Sequence, residues 1–377
     1  MADVEKFMSV EAGDIEKIMG VETGDIEKVM GVEYPAGGIA WGGTRAIIMG
    51  GWYYNSGGSG RSAISVQQKT LASDSNTSDF GDLAAHKHSA NGSGSNGTRV
   101  VMGGGITNTT GGGAGYITYT QTIDYVTAAG SGTFGDAGDL QVGSQDGSQG
   151  GASNGTLCFF VGGGSGSSPY SLDRMEQMTI SSTSGASTAG DLQFGNSKYH
   201  TVTNGDSKFL IMGLGTGEVA KTAIDEHNFS TSADSTAYGS VTATGIGLGR
   251  TAAVCATNRI VTAGGYISSG PTVRGTRMQF FPVASSADGD ASDEADLVTG
   301  AADHGATSDG TRGEWYGGAA DGSAEDGEIQ NDIQKVTIAS LANTTDVGDL
   351  TTVDSASDYY SASDASGLAG LSVQTAT

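Results

Sequence analysis

Apolar residues along this chain come in short runs that stop at glycine: AIIMGG from Ala46, VVMGGG from Val100, CFFVGGG from Cys158 and FLIMG from Phe209. Short apolar runs bounded by Gly, Asn, Asp and Ser suit buried strands, and a helical period is nearly absent between them. The runs also repeat in register. A strand opening on GTR or a variant of it starts at Gly43, Gly97, Gly155, Gly205, Thr257 and Gly310, at successive spacings of 54, 58, 50, 52 and 53 residues. Downstream of each lies a marker: DFGDL at 79–83, DAGDL at 136–140, TAGDL at 188–192, AYGSV at 237–241, DEADL at 293–297 and DVGDL at 346–350. An alternating segment precedes each marker, reading VQQKTL, IDYVTA, MEQMTI, IDEHNF, MQFFPV and IQKVTI. Its first residue lies 17 positions before the marker's last in five copies and 19 in the fifth.

Each unit therefore reads as strand, Gly-rich turn, strand, loop, strand, and a further strand leading to the next GTR. Four short antiparallel strands in about 50 residues are the size of a propeller blade, and a ring of blades protects the sheet edges that a single blade would expose. The expected fold is all-β, a six-bladed β-propeller of four-stranded antiparallel blades over residues 36–377. Before the first GTR there is room only for GIAWG at 38–42, so DYYSASDASG at 358–367 is expected to complete the first blade as its inner strand.

Glycine contributes 64 of 377 residues, roughly 17% against a usual ~7%, but without the three-residue period of collagen, so it belongs to turns. The stretch NGTRVVMGGG at 96–105 begins as a phosphate-cradling loop does. A phosphate loop needs a helix after its glycines and a Lys or acidic partner at a set distance. The six copies continue instead into a loop and another strand, so the glycines serve tight turning and close backbone approach.

The chain carries 42 acidic and 18 basic residues, a net charge of −24. Such a surface repels nucleic acid and anionic membranes, and no nucleic-acid partner is expected. MADVEKFMSVEAG has neither the basic cap nor the apolar stretch of a signal peptide, and nothing approaches the ~18 apolar residues of a membrane span, so no membrane insertion is expected.

The glycine doublet after an apolar strand, the alternating strand and the terminal marker together resemble kelch propeller repeats, with GDL where those repeats usually carry a Trp. VTIASLANTTDVGDL at 336–350, TLASDSNTSDFGDL at 70–83 and NGTRVVMGGG are similar to the kelch-like propeller repeats of virion structural proteins from marine tailed phages, cyanophages in particular. The likeness covers residues 37–370, and the fourth and fifth copies, with YGSV and EADL, depart from the marker. It implies a virion component of the tail or capsid, assembled in the host cytoplasm, partnered by other virion proteins and homo-oligomeric in the particle.

Residues 1–35 follow another rule, with VEKFMSVE, AGDIEKIMGVE and TGDIEKVMGVE repeating every eleven residues. Asp14 and Asp25 are placed to cap short helical turns, and Gly20 and Gly31 to end them. Ile15, Ile18 and Met19, with Ile26, Val29 and Met30 in the next repeat, would form an apolar face. Glycines at 13, 20, 24 and 31 argue against one unbroken helix. Turns this short are unstable alone, so the face must dock, either on its own propeller or on another subunit of a particle. The expected role is attachment.

Candidate chemistry is sparse. Trp52, Tyr53 and Tyr54 follow the first glycine doublet, Trp315 and Tyr316 lie in the sixth copy, and Tyr359 and Tyr360 lie in the proposed closing strand. Packing between blades is the plain reading of each, while a cluster left at a ring face would suit stacking on a host-surface glycan or receptor. Cys158 and Cys255 sit in apolar runs and read as buried thiols. His86 and His88 share strand spacing but lack a third ligand for zinc. His200, His227 and His304 fall at different offsets and form no evident triad. Asp288, Asp290, Asp293 and Glu294 lack the spacing of a calcium loop and read as a solvated inter-strand loop. No metal or cofactor is expected, and the leading expectation is a non-enzymatic protein. The alternative is a carbohydrate-active propeller enzyme, galactose-oxidase-like or a hydrolase, for which no copper set of Tyr, His and Cys can be assigned.

Overall fold

In the computed structural model the chain is all-β, a propeller of six four-stranded antiparallel blades. Between residues 43 and 351 the structure describes all but 55–59, 88–91, 108–117, 131, 133, 142–149, 164–171, 204–207, 216–222, 241–250, 257–258, 266–274, 283–291, 320–328 and 341; beyond that span it describes 17–18, 21–22, 28–29, 32–33 and 372–376.

Blade 2 shows the plan, with an inner strand Gly92–Ser95, a second strand Arg99–Gly103, a third Thr122–Thr127 and an outer Gly135–Asp139, paired in that order. Blade 3 runs from Gly150–Ser153 through Leu157–Val161 and Leu172–Thr179 into the long strand Ser187–Thr203. That strand is the outer strand of blade 3 up to Asn196, and from Asn196 onward it is the inner strand of blade 4. Blade 4 continues through Lys208–Gly215, Ala223–Asn228 and Thr236–Ser240. Blade 5 holds Ala252–Ala256, Arg259–Ala263, Arg277–Pro282 and Ser292–Asp296, and blade 6 holds Gly305–Ser308, Arg312–Ala319, Ile329–Thr337 and Thr345–Asp349.

Blade 1 takes three strands, Arg45–Met49, Gly60–Thr70 and Ser78–Lys87, from one end of the chain. Its inner strand, Ser372–Ala376, comes from the other, pairing antiparallel with Arg45–Met49. The segment 358–367 expected to fill this place lies outside the described residues. The six inner strands pack each against the next, and Ser372–Ala376 touches both Gly305–Ser308 and Gly92–Ser95, which closes the ring.

Second strands are apolar at consecutive positions because a blade is covered on both faces by its neighbours. Successive side chains of a strand point to opposite faces. Thus Ile47 and Met49 join a cluster with Val100, Met102 and Val126 of blade 2, whereas Ala46 and Ile48 join one with Tyr316, Ile333 and Leu350 of blade 6. Each of the six joints between blades has such a cluster, so the core is six wedges. The inner strands of blades 2, 3, 5 and 6 are built from small residues, and all four of Gly92–Ser95 are buried. A Cβ on Gly151 would lie 1.9 Å from the backbone nitrogen of Ser93, so the small residues let neighbouring inner strands meet near the axis.

The GDL marker is a β-bulge. In all six blades the register between third and outer strands shifts at this point. In blade 3, Glu176 opposes Thr188 and Met175 opposes Gly190, leaving Ala189 as the extra residue, buried in the joint with blade 4. Bulges bend a strand and re-aim its side chains. Gly190 takes φ +135°, and a Cβ there would lie 2.3 Å from the carbonyl oxygen of Ala233 in blade 4. The marker is therefore where one blade's outer strand meets the loop of the next.

The described part of the first 40 residues, a unit of its own, differs from expectation. Lys17–Ile18 pairs antiparallel with Val21–Glu22, and Lys28–Val29 with Val32–Glu33. These are hairpins in place of the expected helical turns. The β-branched pairs Ile18 with Val21 and Val29 with Val32 suit strands, and a Met-Gly dipeptide between paired residues suits a tight reversal as well as it suits a helix end. Of the six residues assigned to the apolar face, Ile18 and Val29 lie in these strands, while Ile15, Met19, Ile26 and Met30 lie outside the described residues.

Candidate functional site

The chemistry-bearing side chains of the described residues converge on the joints between blades. The second residue of each alternating segment, which lies within the third strand, is Gln67, Asp124, Glu176, Asp225, Gln279 or Gln334, and all six are buried. A polar group so placed is costly unless hydrogen-bonded. For Gln67, Glu176, Asp225 and Gln334 the partner is the chain just past the preceding blade's marker, while for Gln279 that stretch, 241–250, lies outside the described residues. The Thr351 N–H donates to Gln67 Oε1 at 2.9 Å, the Gln141 N–H to Glu176 Oε2 at 2.7 Å and the Thr299 N–H to Gln334 Oε1 at 3.3 Å, and the Gln193 backbone bonds Asp225. Each latch thus ties an outer strand to the blade that follows it. In blade 2 the latch residue Asp124 instead takes Lys87 Nζ at 2.8 Å, whose ammonium also donates to the Thr122 carbonyl and hydroxyl.

A second tie comes from the Arg of GTR. Arg45 donates to the Ala128 carbonyl of blade 2, and Arg259 donates at 3.0 Å to the Ile338 carbonyl of blade 6. The same cations lie over rings, Arg45 over Phe80, Arg99 over Tyr125 and Arg259 over Phe280. Near the axis Ser308 Oγ accepts the Cys255 N–H and donates to the Cys255 carbonyl, and Ser153 bridges the backbone of Ser95 in the same way.

The joint between blades 6 and 1 also holds a buried ion pair. Lys69 Nζ lies 2.7 Å from Glu314 Oε1, both side chains fully buried, and the Tyr316 hydroxyl donates to Glu314 Oε2 at 2.6 Å. Burial pushes the Glu314 carboxyl above the usual carboxylate range, opposed by Lys69 and Tyr316, and the Tyr316 phenol is pushed up by burial and by the Glu314 charge. Lys87 is pushed down and Asp124 up, burial being the largest cause in each, with each partner's charge opposing it.

Of the aromatics proposed for glycan stacking, Trp52, Tyr53 and Tyr316 fall at the same joint. Tyr316 and Tyr53 are buried in its apolar cluster, and Trp315 is buried against blade 5, its indole N–H on the Ala252 carbonyl at 3.1 Å. Trp52 is half-buried on Ala319 and Ile329 of blade 6. Covered rings offer no stacking face, so Tyr53, Trp315 and Tyr316 are packing residues. Tyr54 ends the short strand Trp52–Tyr54, and Tyr359 and Tyr360 lie outside the described residues.

His86 Nδ1 meets the Ser62 carbonyl at 2.8 Å, and His88 lies outside the described residues. His227 stacks with Phe159 and Phe209, and burial lowers its basicity. His304 is buried beside Gly264, where a Cβ would lie 2.6 Å from its Cε1. Burial drives its pKa down to about 4 against the opposing influences of Asp303 and the Ala263 backbone. Cys158 and Cys255 are free and buried, and burial pushes both thiols well up. Asp293 lies in the outer strand Ser292–Asp296 of blade 5, as does Glu294, where a loop was expected, while Asp288 and Asp290 lie outside the described residues. Among the described residues no three His, Cys, Asp or Glu groups come together as a metal site.

The latches were missed in sequence, although a signal was present: the second letter of VQQKTL, IDYVTA, MEQMTI, IDEHNF, MQFFPV and IQKVTI is always Gln, Asp or Glu.

No protein-family model and no curated protein matches the chain. Among solved structures it is similar to one titled "Structure of YjhT", at a TM-score of 0.60 and 13% identity, over 79% of this chain and 96% of that one. At that identity the likeness is one of fold, and it agrees with the propeller.

Proposed function

We propose that the chain is a non-catalytic phage virion protein, a propeller carried on the tail or capsid through its N-terminal repeats and displaying a surface for host glycan or receptor contact or for particle stabilisation. The observation that supports this reading is the use made of the side chains able to do chemistry. Lys69, Lys87, Asp124, Glu176, Glu314, Trp315 and Tyr316 all bind one blade to the next, as a rigid carrier requires. The resemblance of the repeats to marine phage propellers and the separate unit at residues 1–40 point the same way.

Removing residues 1–33 tests the reading. The truncated chain should unfold cooperatively at the same urea midpoint as the full chain but be absent from purified particles. Incorporation of the truncated chain at the full-length level would contradict attachment through these repeats.

A further inference from the structure

The six joints are built on one plan, which makes a difference between them informative. The third residue of each second strand faces the following blade, and the fourth residue of the alternating segment faces the preceding one at the five joints where its side chain is described. At the joint of blades 1 and 2 these are Ile47 and Val126, which share a buried cluster. At blades 2 and 3 they are Val101 and Met178, again in one cluster. At blades 3 and 4 they are Phe159 and His227, with ring centroids 5.1 Å apart. At blades 5 and 6 they are Val261 and Val336. Leu210 and Phe281 hold the corresponding positions at blades 4 and 5. Only where blade 6 meets blade 1 does the plan place a charged pair, Glu314 and Lys69, 2.7 Å apart and fully buried.

From this we infer that Lys69 and Glu314 are the closure-specificity pair of the ring, marking the first and last blades as each other's partners. Six near-equivalent blades present a pairing problem, because apart from the Lys87–Asp124 pair of blades 1 and 2 the wedges alternate similar apolar side chains. The face of blade 1 could pack on an earlier blade, or on a blade of a second copy, and such head-to-tail contacts propagate into open assemblies. A buried ion pair contributes little net stability, since desolvation offsets the attraction, but removing one partner leaves a buried charge uncompensated. Lys69 against the Ile47, Val101 or Val261 position of another blade is that uncompensated case, so wrong closures are penalised and the right one is not. The pair spans 245 residues of chain, so the penalty acts on the contact that completes the ring.

The test gives this joint the chemistry of the joint between blades 5 and 6, by the double substitution K69V/E314V, alongside each single substitution and the exchange K69E/E314K. Each full-length protein is refolded over a hundredfold range of concentration and its mass distribution measured by light scattering and native mass spectrometry. The double variant should keep a cooperative urea transition, with a midpoint above those of the single variants, yet refold with a monomer yield at least threefold lower than the parent's at the highest concentration. The exchange variant should recover the parent's monomer yield while the single variants lose stability. A double variant that folds with the parent's monomer yield at every concentration would overturn the inference. If it does not fold, the exchange variant decides: recovery of monomer supports complementarity, and behaviour as poor as the single variants refutes it.

Discussion

Gly190 and Gly155 both hold positive φ, at +135° and +83°, but only the first is hemmed in: its Cβ would meet Ala233, while nothing lies within 4 Å at Gly155. Gly155→Ala therefore carries backbone strain alone, on the order of 1 kcal/mol, and Gly190→Ala adds a steric clash with the next blade for a loss of roughly 3 kcal/mol. Urea unfolding of the two variants should separate them in that order; equal losses would show that the bulge does not need its close approach. His304 makes a pH prediction. Its folded pKa, about 4, lies below the ordinary 6.5. Between those values the unfolded chain takes up a proton that the folded one refuses, so stability is full above pH 6.5 and falls as the pH drops toward 4, by roughly 3 kcal/mol in all. His304→Gln should flatten that part of the stability profile, measured as urea midpoint against pH. At this scale the sequence was half legible. Glycine announces a backbone role wherever it recurs, but Gln67, Asp124 and Glu176 differ in charge and length, and their shared role as acceptors emerges only when the neighbouring blade is in place.

An element here is held by the next blade as well as by its own ladder. Gln67 shows how, since its Oε1 receives the Thr351 N–H, the Thr351 hydroxyl at 3.0 Å and the Thr77 hydroxyl at 2.5 Å. Gln67→Ala strands those donors in a buried joint and should cost about 1–3 kcal/mol, whereas Gln67→Glu, the residue used in blade 3, should cost less. Thermal unfolding of the two variants checks this, and equal destabilisation would remove the latch. Strands and their order were readable because apolar runs, glycine doublets and markers recur in step. The N-terminal repeats were readable in period but not in element. Ile18-Met19-Gly20-Val21 serves a glycine-ended helical turn and a two-residue hairpin equally well, and backbone pairing of Ile18 with Val21 decides for the hairpin.

For the molecule as a whole, repetition in the sequence carries the blade count, and the closing contacts carry the rest. The need for a C-terminal inner strand followed from the missing strand before Gly43, yet its position did not, because polar Ser/Thr-rich segments such as 358–367 and Ser372–Ala376 look alike in composition. The aromatics at Trp315 and Tyr316 show the same limit, since a ring beside a glycine turn can face solvent or a neighbouring blade, and only the assembled wedge distinguishes them. The proposed role is that of a rigid ring carried on a phage particle. Electron microscopy of purified particles, with the chain labelled at its C-terminus, tests that claim most directly. Six-bladed discs are expected at fixed positions on the tail or capsid, tethered through residues 1–35 and lost when those residues are removed; particles of full composition that lack the chain would contradict the proposed role.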